Sequence, residues 1–213
     1  MRNCRLLLIV ILLSGGVLRA QSFNKGSLLV SASEGTTYTH YSTADNASSP
    51  GLSDNYNLCG DRDPLIVEYG ISKKWGIGLL MGGDVFHINP SSYYGVNSTD
   101  NKVTTSELTV NGNYHFYNTK KWDLAAGLGI GAACVHFNAT YGDAVNATYN
   151  AGGNIIRLSG QARYYVFKRI GLLGILSTYA ESCTVPNNNF DAHSRTTITG
   201  VAYEFGFCYR ILR

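Results

Sequence analysis

A histidine, a serine and an acid stand close enough along this chain to raise the question of acyl-transfer chemistry. His193 directly precedes Ser194, and Glu204 lies on the strand predicted to follow. A catalytic serine needs a base within hydrogen-bond reach of its hydroxyl and an acid that orients the base. The pair falls in a predicted loop, and adjacent strand residues would point to opposite faces. We therefore expect no enzymatic activity from these residues.

Isolated histidines near predicted strand ends raise the question of metal binding. His40, His87 and His136 are far apart in the sequence, and the cysteines are too widely spaced for a zinc motif. Histidines in such positions are usually simple polar residues. We expect neither a metal nor a cofactor.

The first twenty residues have the organisation of a secretory signal peptide. Arg2 and Arg5 precede an apolar run at residues 6–13, and small residues follow up to Ala20. The run is too short to span a bilayer as a helix, which takes roughly 20 apolar residues. We predict a cleaved signal peptide at residues 1–20 and a single mature domain at residues 21–213.

Composition and charge narrow the class of protein. Without Arg2, Arg5 and Arg19, the 17 basic residues fall to 14, equal to the 14 acidic residues. A neutral mature chain lacks the basic stripe of nucleic-acid-binding proteins, so no nucleic-acid partner is expected. The sequence holds 24 Gly and 15 Tyr but four Pro, which favours an all-β fold with polar loops.

A basic turn recurs three times and divides the chain. Each turn is a basic pair before the first residue of a Gly-rich strand: Lys73-Lys74 before Trp75, Lys120-Lys121 before Trp122, and Lys168-Arg169 before Ile170. Four longer polar segments alternate with these turns, at residues 41–61, 89–101, 138–153 and 182–195. Three turns and four loops predict eight strands. Short periplasmic turns opposite long extracellular loops are typical of outer-membrane barrels.

The predicted strands alternate with a period of two, which gives each strand one apolar face. In the last strand, odd-numbered residues from Thr197 to Ile211 are mostly aromatic or β-branched, whereas Glu204 and Arg210 lie opposite. We expect the polar faces to fill a narrow lumen with paired charges. The predicted lumen network comprises Glu68, Asp84, Glu107, His115, Arg157, Gln161, Arg163, Glu204 and Arg210. Residues 172–181 are too uniformly apolar for their facing to be predicted.

A soluble barrel of the lipocalin type would also have eight alternating strands, but its apolar face would point inward. Aromatic residues gathered beside the short turns instead favour a membrane, because they form a girdle at the membrane interface. The predicted girdle comprises Tyr69, Trp75, Tyr114, Phe116, Trp122, Tyr164, Phe207 and Tyr209.

The chain resembles the small outer-membrane β-barrel domain family, of the OmpA/OmpX type, and especially its porin-like single-domain members. The resemblance rests on Gly-rich strands and on hairpins such as Phe-Lys-Arg-Ile-Gly-Leu at residues 167–172. It implies an eight-stranded antiparallel up-and-down transmembrane β-barrel in the bacterial outer membrane. Outer-membrane lipids, lipopolysaccharide and the barrel-insertion machinery are its implied partners. The family usually ends on an aromatic residue, whereas this chain ends Ile-Leu-Arg.

Cys59 and Cys183 are the candidate disulfide pair. They fall in the first and last predicted loops, and the first and last strands are neighbours in a closed barrel. Export to a disulfide-permissive compartment makes such a bond chemically reasonable. Cys134, on the lipid face, and Cys208, on the lumen face, are not expected to pair. Free thiols are the alternative for all four.

Three functions fit such a barrel. The first is non-enzymatic: adhesion or another surface interaction, with a surface or host ligand bound by loop tyrosines, since tyrosine offers contact area at low entropic cost. These are Tyr38, Tyr41, Tyr56, Tyr93, Tyr94, Tyr141 and Tyr149. The second is a narrow porin-like channel for small solutes, and the third is a lipid A-modifying enzyme. We predict the first.

Overall fold

The computed structural model describes residues 23–45, 53–88, 98–141, 145–185 and 194–212. The predicted signal peptide lies outside the described residues. These residues form the strands β1 (Leu28–Asp45), β2 (Ser53–Arg62), β3 (Leu65–Gly70), β4 (Trp75–Ile88), β5 (Ser98–Asn118), β6 (Trp122–Tyr141), β7 (Val145–Tyr165), β8 (Ile170–Val185) and β9 (Ser194–Leu212). In this part of the chain, no helix has the length and apolar character needed to cross a bilayer.

Strands β2 and β3 act as one strand that is interrupted at Pro64. Both pair with β1, with Gly35 opposite Arg62 and Ala32 opposite Leu65. Proline has no amide hydrogen for the ladder, which explains the interruption. Its carbonyl still accepts a bond of 3.2 Å from the Ser33 amide. With β2 and β3 counted together, the described sheet has eight strands, and pairing of β1 with β9 closes it. The predicted up-and-down barrel is confirmed.

The strands run further than the sequence predicted. The predicted loop at residues 41–61 contains the end of β1 and nearly all of β2, and the other three loops likewise contain strand ends. Their Asn, Ser and Thr residues suggested loops because they are polar. A strand that continues into water also carries polar residues on its outer face, so composition alone could not place the boundary.

The barrel has two parts of opposite polarity. In the first, which we call the belt, the outward side chains are large and apolar: Ile77, Leu79, Met81, Leu108, Val110, Leu128, Ile130, Ile156, Leu158, Leu172, Leu176, Phe205 and Phe207. In the second, the outer part near the four polar segments, the interior holds a large apolar cluster that includes Leu58, Phe86, Val103, Val135, Ile155 and Ile198. The exterior there exposes Asp61, Lys102, Asn150, Thr184 and Arg195. This reversal is expected if the belt faces lipid and the outer part faces water.

The structure settles the facing of residues 172–181. Leu173, Ile175, Ser177, Tyr179 and Glu181 point into the lumen. Leu173 and Ile175 pack there against Ile66 and Leu80 in a second apolar cluster. Both faces of β8 are therefore apolar in its first half, which removes the alternation that revealed the other strands.

Gly131 on β6 lies where the neighbouring strand approaches closely. An added Cβ would overlap the Leu108 carbonyl oxygen and lie 2.7 Å from Cα of Thr109, whereas a Cβ at Gly112 on β5 meets nothing within 4 Å. We expect Gly131→Ala to lower the free energy of unfolding by about 1–3 kcal/mol through overpacking. Gly112→Ala should leave it unchanged or raise it slightly. Urea titrations of both variants measure the difference, and equal midpoints would contradict it.

Candidate functional site

The centre of the lumen is occupied by the guanidinium of Arg62. Its Nη1 lies 2.9 Å from Asp84 Oδ1, its Nε lies 2.8 Å from Glu204 Oε1, and its Nη2 bonds Glu107. These carboxylates come from β4, β9 and β5, so one cation ties three strands together. All four side chains are buried.

Arg157 and Tyr179 extend this arrangement to the opposite wall. Arg157 donates to both Glu107 oxygens at 2.9 and 2.7 Å, and its guanidinium carbon lies 4.7 Å from the centre of the Tyr179 ring. The Tyr179 hydroxyl is within hydrogen-bond distance of Thr37 (2.7 Å) and Thr39 (2.9 Å) on β1. We call Arg62, Asp84, Glu107, Arg157, Tyr179 and Glu204 the central network.

A second network lies near the short turns. His115 contacts Glu68 through Nε2 (2.9 Å) and Asp123 through Nδ1 (2.7 Å). Arg163 donates to the other oxygen of each carboxylate, at 2.5 Å for Glu68 and 3.1 Å for Asp123. Each carboxylate thus contacts both basic residues. This closed ring of four side chains is the turn-side network.

Phe23 closes the lumen at its short-turn end, next to the turn-side network. Its ring is fully buried and stacks on His115, with centroids 3.5 Å apart and planes 10° from parallel. Its carbonyl accepts a bond of 2.6 Å from Asn118 Nδ2. Gly76 leaves the room for this packing, since a Cβ there would lie 3.0 Å from the phenylalanine ring and overlap the Glu68 carboxylate. Phe23 therefore plugs this end of the lumen.

All nine residues of the predicted lumen network are buried in the structure. Gln161 accepts a bond from Arg163, and the Arg210 guanidinium lies 4.6 Å from the Tyr165 ring centre. The predicted network did not include the buried Phe23, Arg62, Asp123, Tyr179 and Glu181. Arg62 directly follows the predicted loop at residues 41–61. Its inward direction could still have been predicted, because it continues the alternate, even-numbered positions of the buried Leu58, Gly60, Ile66 and Glu68.

The predicted girdle residues all point outward at the short-turn end, and each is exposed or half-exposed. Trp75 packs on Tyr114 with centroids 4.9 Å apart, and Trp122 packs on Tyr164 at 4.8 Å. In the basic turns, Lys73, Lys74, Lys120, Lys121 and Arg169 are exposed and Lys168 is half-exposed.

The candidate disulfide between Cys59 and Cys183 is not formed in the structure. Cys59, Cys134, Cys183 and Cys208 are all free. Cys59 points outward and Cys183 into the lumen, and β1 and β9 lie between their strands, so the thiols stand on opposite sides of the barrel wall. The prediction treated both residues as loop residues, whose side-chain directions are not fixed, whereas both belong to strands.

The acyl-transfer candidate is not assembled by the described residues. Glu204 is 1% exposed and is held by Arg62 and by Ser33, which donates at 3.1 Å. His193 lies outside the described residues. Among those that the structure describes, no group of three His, Cys, Asp or Glu residues could hold a metal ion. His40 contacts Asn57 at 3.0 Å, His136 contacts Asn150, and the His87 side chain is not described.

A groove of about 600 Å³ lies on the barrel wall where the belt meets the outer part. It is lined by Tyr38, Thr39, His40, Asn57, Leu58, Cys59, Thr178, Thr199, Gly200 and Val201, from β1, β2, β8 and β9. The Tyr38 ring lies 6.2 Å from that of Tyr203. None of these ten described residues is Asp, Glu, Lys or Arg. The groove therefore offers aromatic surface and neutral hydrogen-bonding groups.

A closed barrel with an apolar belt and a charged, filled lumen defines the class of small transmembrane β-barrels. Its fold is shared by OprG from Pseudomonas aeruginosa (12% identity, 90% of this chain, 99% of that chain, TM-score 0.58) and by AlkL (14%, 94%, 97%, 0.56). The outer membrane protease OmpT from Escherichia coli is also similar (10%, 87%, 97%, 0.54).

No protein-family model matches the sequence, and no curated protein matches it. The structural neighbours are bacterial outer-membrane proteins, in agreement with the predicted localisation. The fold is that of the small outer-membrane barrels, as the resemblance to the OmpA/OmpX type predicted.

Proposed function

We propose that this protein is a non-enzymatic outer-membrane barrel that serves adhesion or another surface interaction, with the groove around Tyr38 as its recognition site. The observation that carries the proposal is the position of the groove. It lies at the outer rim of the belt, on the exterior, where a ligand can approach without passing through the lumen.

The chemistry of the groove favours a neutral ligand rich in hydroxyl groups, such as a surface saccharide. Tyr38 is 55% exposed and offers a ring face. His40 and Asn57 hold each other at 3.0 Å, which fixes two hydrogen-bonding side chains beside that ring. A concave site with a few convergent polar groups is the usual form of a small-ligand site.

The filled lumen supports surface interaction over transport. The central network crosses the lumen in the belt, the turn-side network crosses it near the turns, and Phe23 lies beyond the second. A solute would have to break buried, multiply bonded ion pairs at two levels, which is costly. Glu204, the acid of the acyl-transfer candidate, is already engaged by Arg62, which supports a non-enzymatic role.

Binding of the purified barrel in detergent micelles to an array of bacterial and host surface saccharides tests the proposal. We expect Tyr38→Ala and Asn57→Ala to weaken binding about tenfold, the loss from one good contact. Lys102→Ala, an exposed change elsewhere on the outer part, should leave binding intact. Single-channel conductance in planar bilayers would favour the channel instead, and altered lipid A in cells that express the protein would favour the enzyme.

A further inference from the structure

The three basic turns carry charge that no acid among the described residues pairs with. None of the ion pairs among the described residues uses Lys73, Lys74, Lys120, Lys121, Lys168 or Arg169. The acids near this end, Glu68 and Asp123, are buried and held by His115 and Arg163. An anion from outside the chain is therefore the natural partner of these side chains.

Two of the turns repeat the same local arrangement on the barrel exterior. Lys73-Lys74 precedes Trp75, which packs on Tyr114 at 4.9 Å and 49°. Lys120-Lys121 precedes Trp122, which packs on Tyr164 at 4.8 Å and 50°. The two tryptophans are 52% and 46% exposed, so each pair presents a ring surface outward. The arrangement is a flexible cationic pair directly beyond an exposed aromatic pair.

We propose that each tryptophan-bearing basic turn binds an anionic phospholipid of the leaflet at the short-turn end. The lysines contact the phosphate and the charged headgroup, while the Trp–Tyr pair seats the glycerol and the first part of the acyl chains. Aromatic rings prefer this depth of a membrane, and long basic side chains extend from it to the headgroup level. Each basic residue near an anionic surface contributes about a five-fold gain in affinity at low ionic strength.

The site is continuous with the apolar belt, which favours a lipid over the anionic polymers of the cell wall. On the exterior face of β4, Ile77 and Leu79 come after Trp75 as the strand leaves the turn. Leu124 and Leu128 come after Trp122 in the same way on β6. A lipid bound at the turn can thus lay its chains along the wall. The third turn has Ile170 where the other two have tryptophan, so it lacks the exposed Trp–Tyr pair. We therefore do not include it among the proposed lipid sites. The inference rests on the membrane insertion proposed above.

The chain supplies its own reporters, since Trp75 and Trp122 are its two tryptophans. The mature protein is folded into phosphatidylcholine vesicles that contain a minor fraction of either brominated phosphatidylglycerol or brominated phosphatidylcholine. Bromine quenches tryptophan fluorescence on contact. We expect stronger quenching by the anionic lipid at equal fraction. Trp75→Phe and Trp122→Phe each leave a single tryptophan. We expect the remaining tryptophan in each variant to be quenched more strongly by the anionic lipid than by phosphatidylcholine.

Substitutions at the lysines test the cause of the preference. Lys→Gln at residues 73, 74, 120 and 121 should reduce it about five-fold per lysine at each site. Lys→Arg at the same positions should retain it, and Lys102→Gln, at the other end of β5, should not affect it. Equal quenching by the two lipids, or a preference that survives the glutamines, would overturn the proposal.

Two further outcomes are distinguishable from these. If neither brominated lipid quenches a chain whose folding is shown by heat-modifiable gel mobility, the membrane location itself fails. Equal quenching combined with lysine-dependent binding to purified peptidoglycan overturns the lipid proposal in favour of the cell wall.

Discussion

Arg62→Ala is expected to lower the free energy of unfolding by about 3–5 kcal/mol, the cost of removing one partner from a buried ion pair. Asp84, Glu107 and Glu204 would remain buried in the middle of the lumen without their shared cation. Arg157 would still bind Glu107 at 2.7 Å, but among the described contacts it pairs with neither of the other two carboxylates. Loss of one side chain therefore loosens three strands.

Two control variants separate this effect from a general loss of charge. Arg62→Lys keeps the charge but lacks the planar fork that reaches three carboxylates, so it should fall between Arg62→Ala and the unchanged chain. Arg195→Ala removes an exposed arginine that bonds Ser182 at 3.0 Å, and its effect should stay within about 0.5 kcal/mol. Urea titration followed by heat-modifiable gel mobility measures all three. Equal midpoints for Arg62→Ala and Arg195→Ala would refute the central role of Arg62.

The barrel itself could be predicted because several strands have one clearly apolar face and because the turns are short. In β9, Val201, Tyr203 and Phe205 point outward while Ala202 and Glu204 point inward, as the alternation predicted. A turn as short as Lys120-Lys121 fixes the pairing of its two strands. Alternation and register together define a closed sheet whose outside is apolar.

Other features of the fold were hidden because the local signal was absent or ambiguous. β8 is apolar on both faces near its start, and the outer strand ends are polar because they face water. Arg62 directly follows residues 41–61, whose polar composition predicted a loop, so it was not assigned to the row of inward-facing residues. Phe23 precedes the first strand and belongs to no periodic pattern.

The pairing of charges inside the lumen could not be predicted from the sequence. Alternation tells which side chains point inward, but the tilt and stagger of the strands decide which of them meet. Arg62 bonds Glu204, 142 residues away, and Arg163 bonds Glu68, 95 residues away. The candidate disulfide is not formed for a similar reason. Strand order brings Cys59 and Cys183 to neighbouring parts of the barrel, but it does not tell which side of the wall each side chain points to.

Leu128→Arg tests the belt, and its expected effect depends on the solvent around the barrel. Leu128 is 55% exposed and lies midway along the outward apolar run of β6 between Trp122 and Ala132. In a bilayer, an arginine at the middle of the lipid-facing surface should cost about 2–4 kcal/mol. The same change on the surface of a barrel in water should cost less than about 0.5 kcal/mol.

Asn154→Arg is the matched control for Leu128→Arg. Asn154 is exposed on β7 just beyond Ile156, where the outward apolar run ends, so an arginine there should cost about 0–1 kcal/mol. Urea titrations in phosphatidylcholine vesicles compare the two variants with the unchanged chain. A large loss for Leu128→Arg beside a small one for Asn154→Arg would locate the bilayer on the belt. Equal small losses would contradict a lipid-facing belt, because lipid penalises a charge according to its depth and water does not.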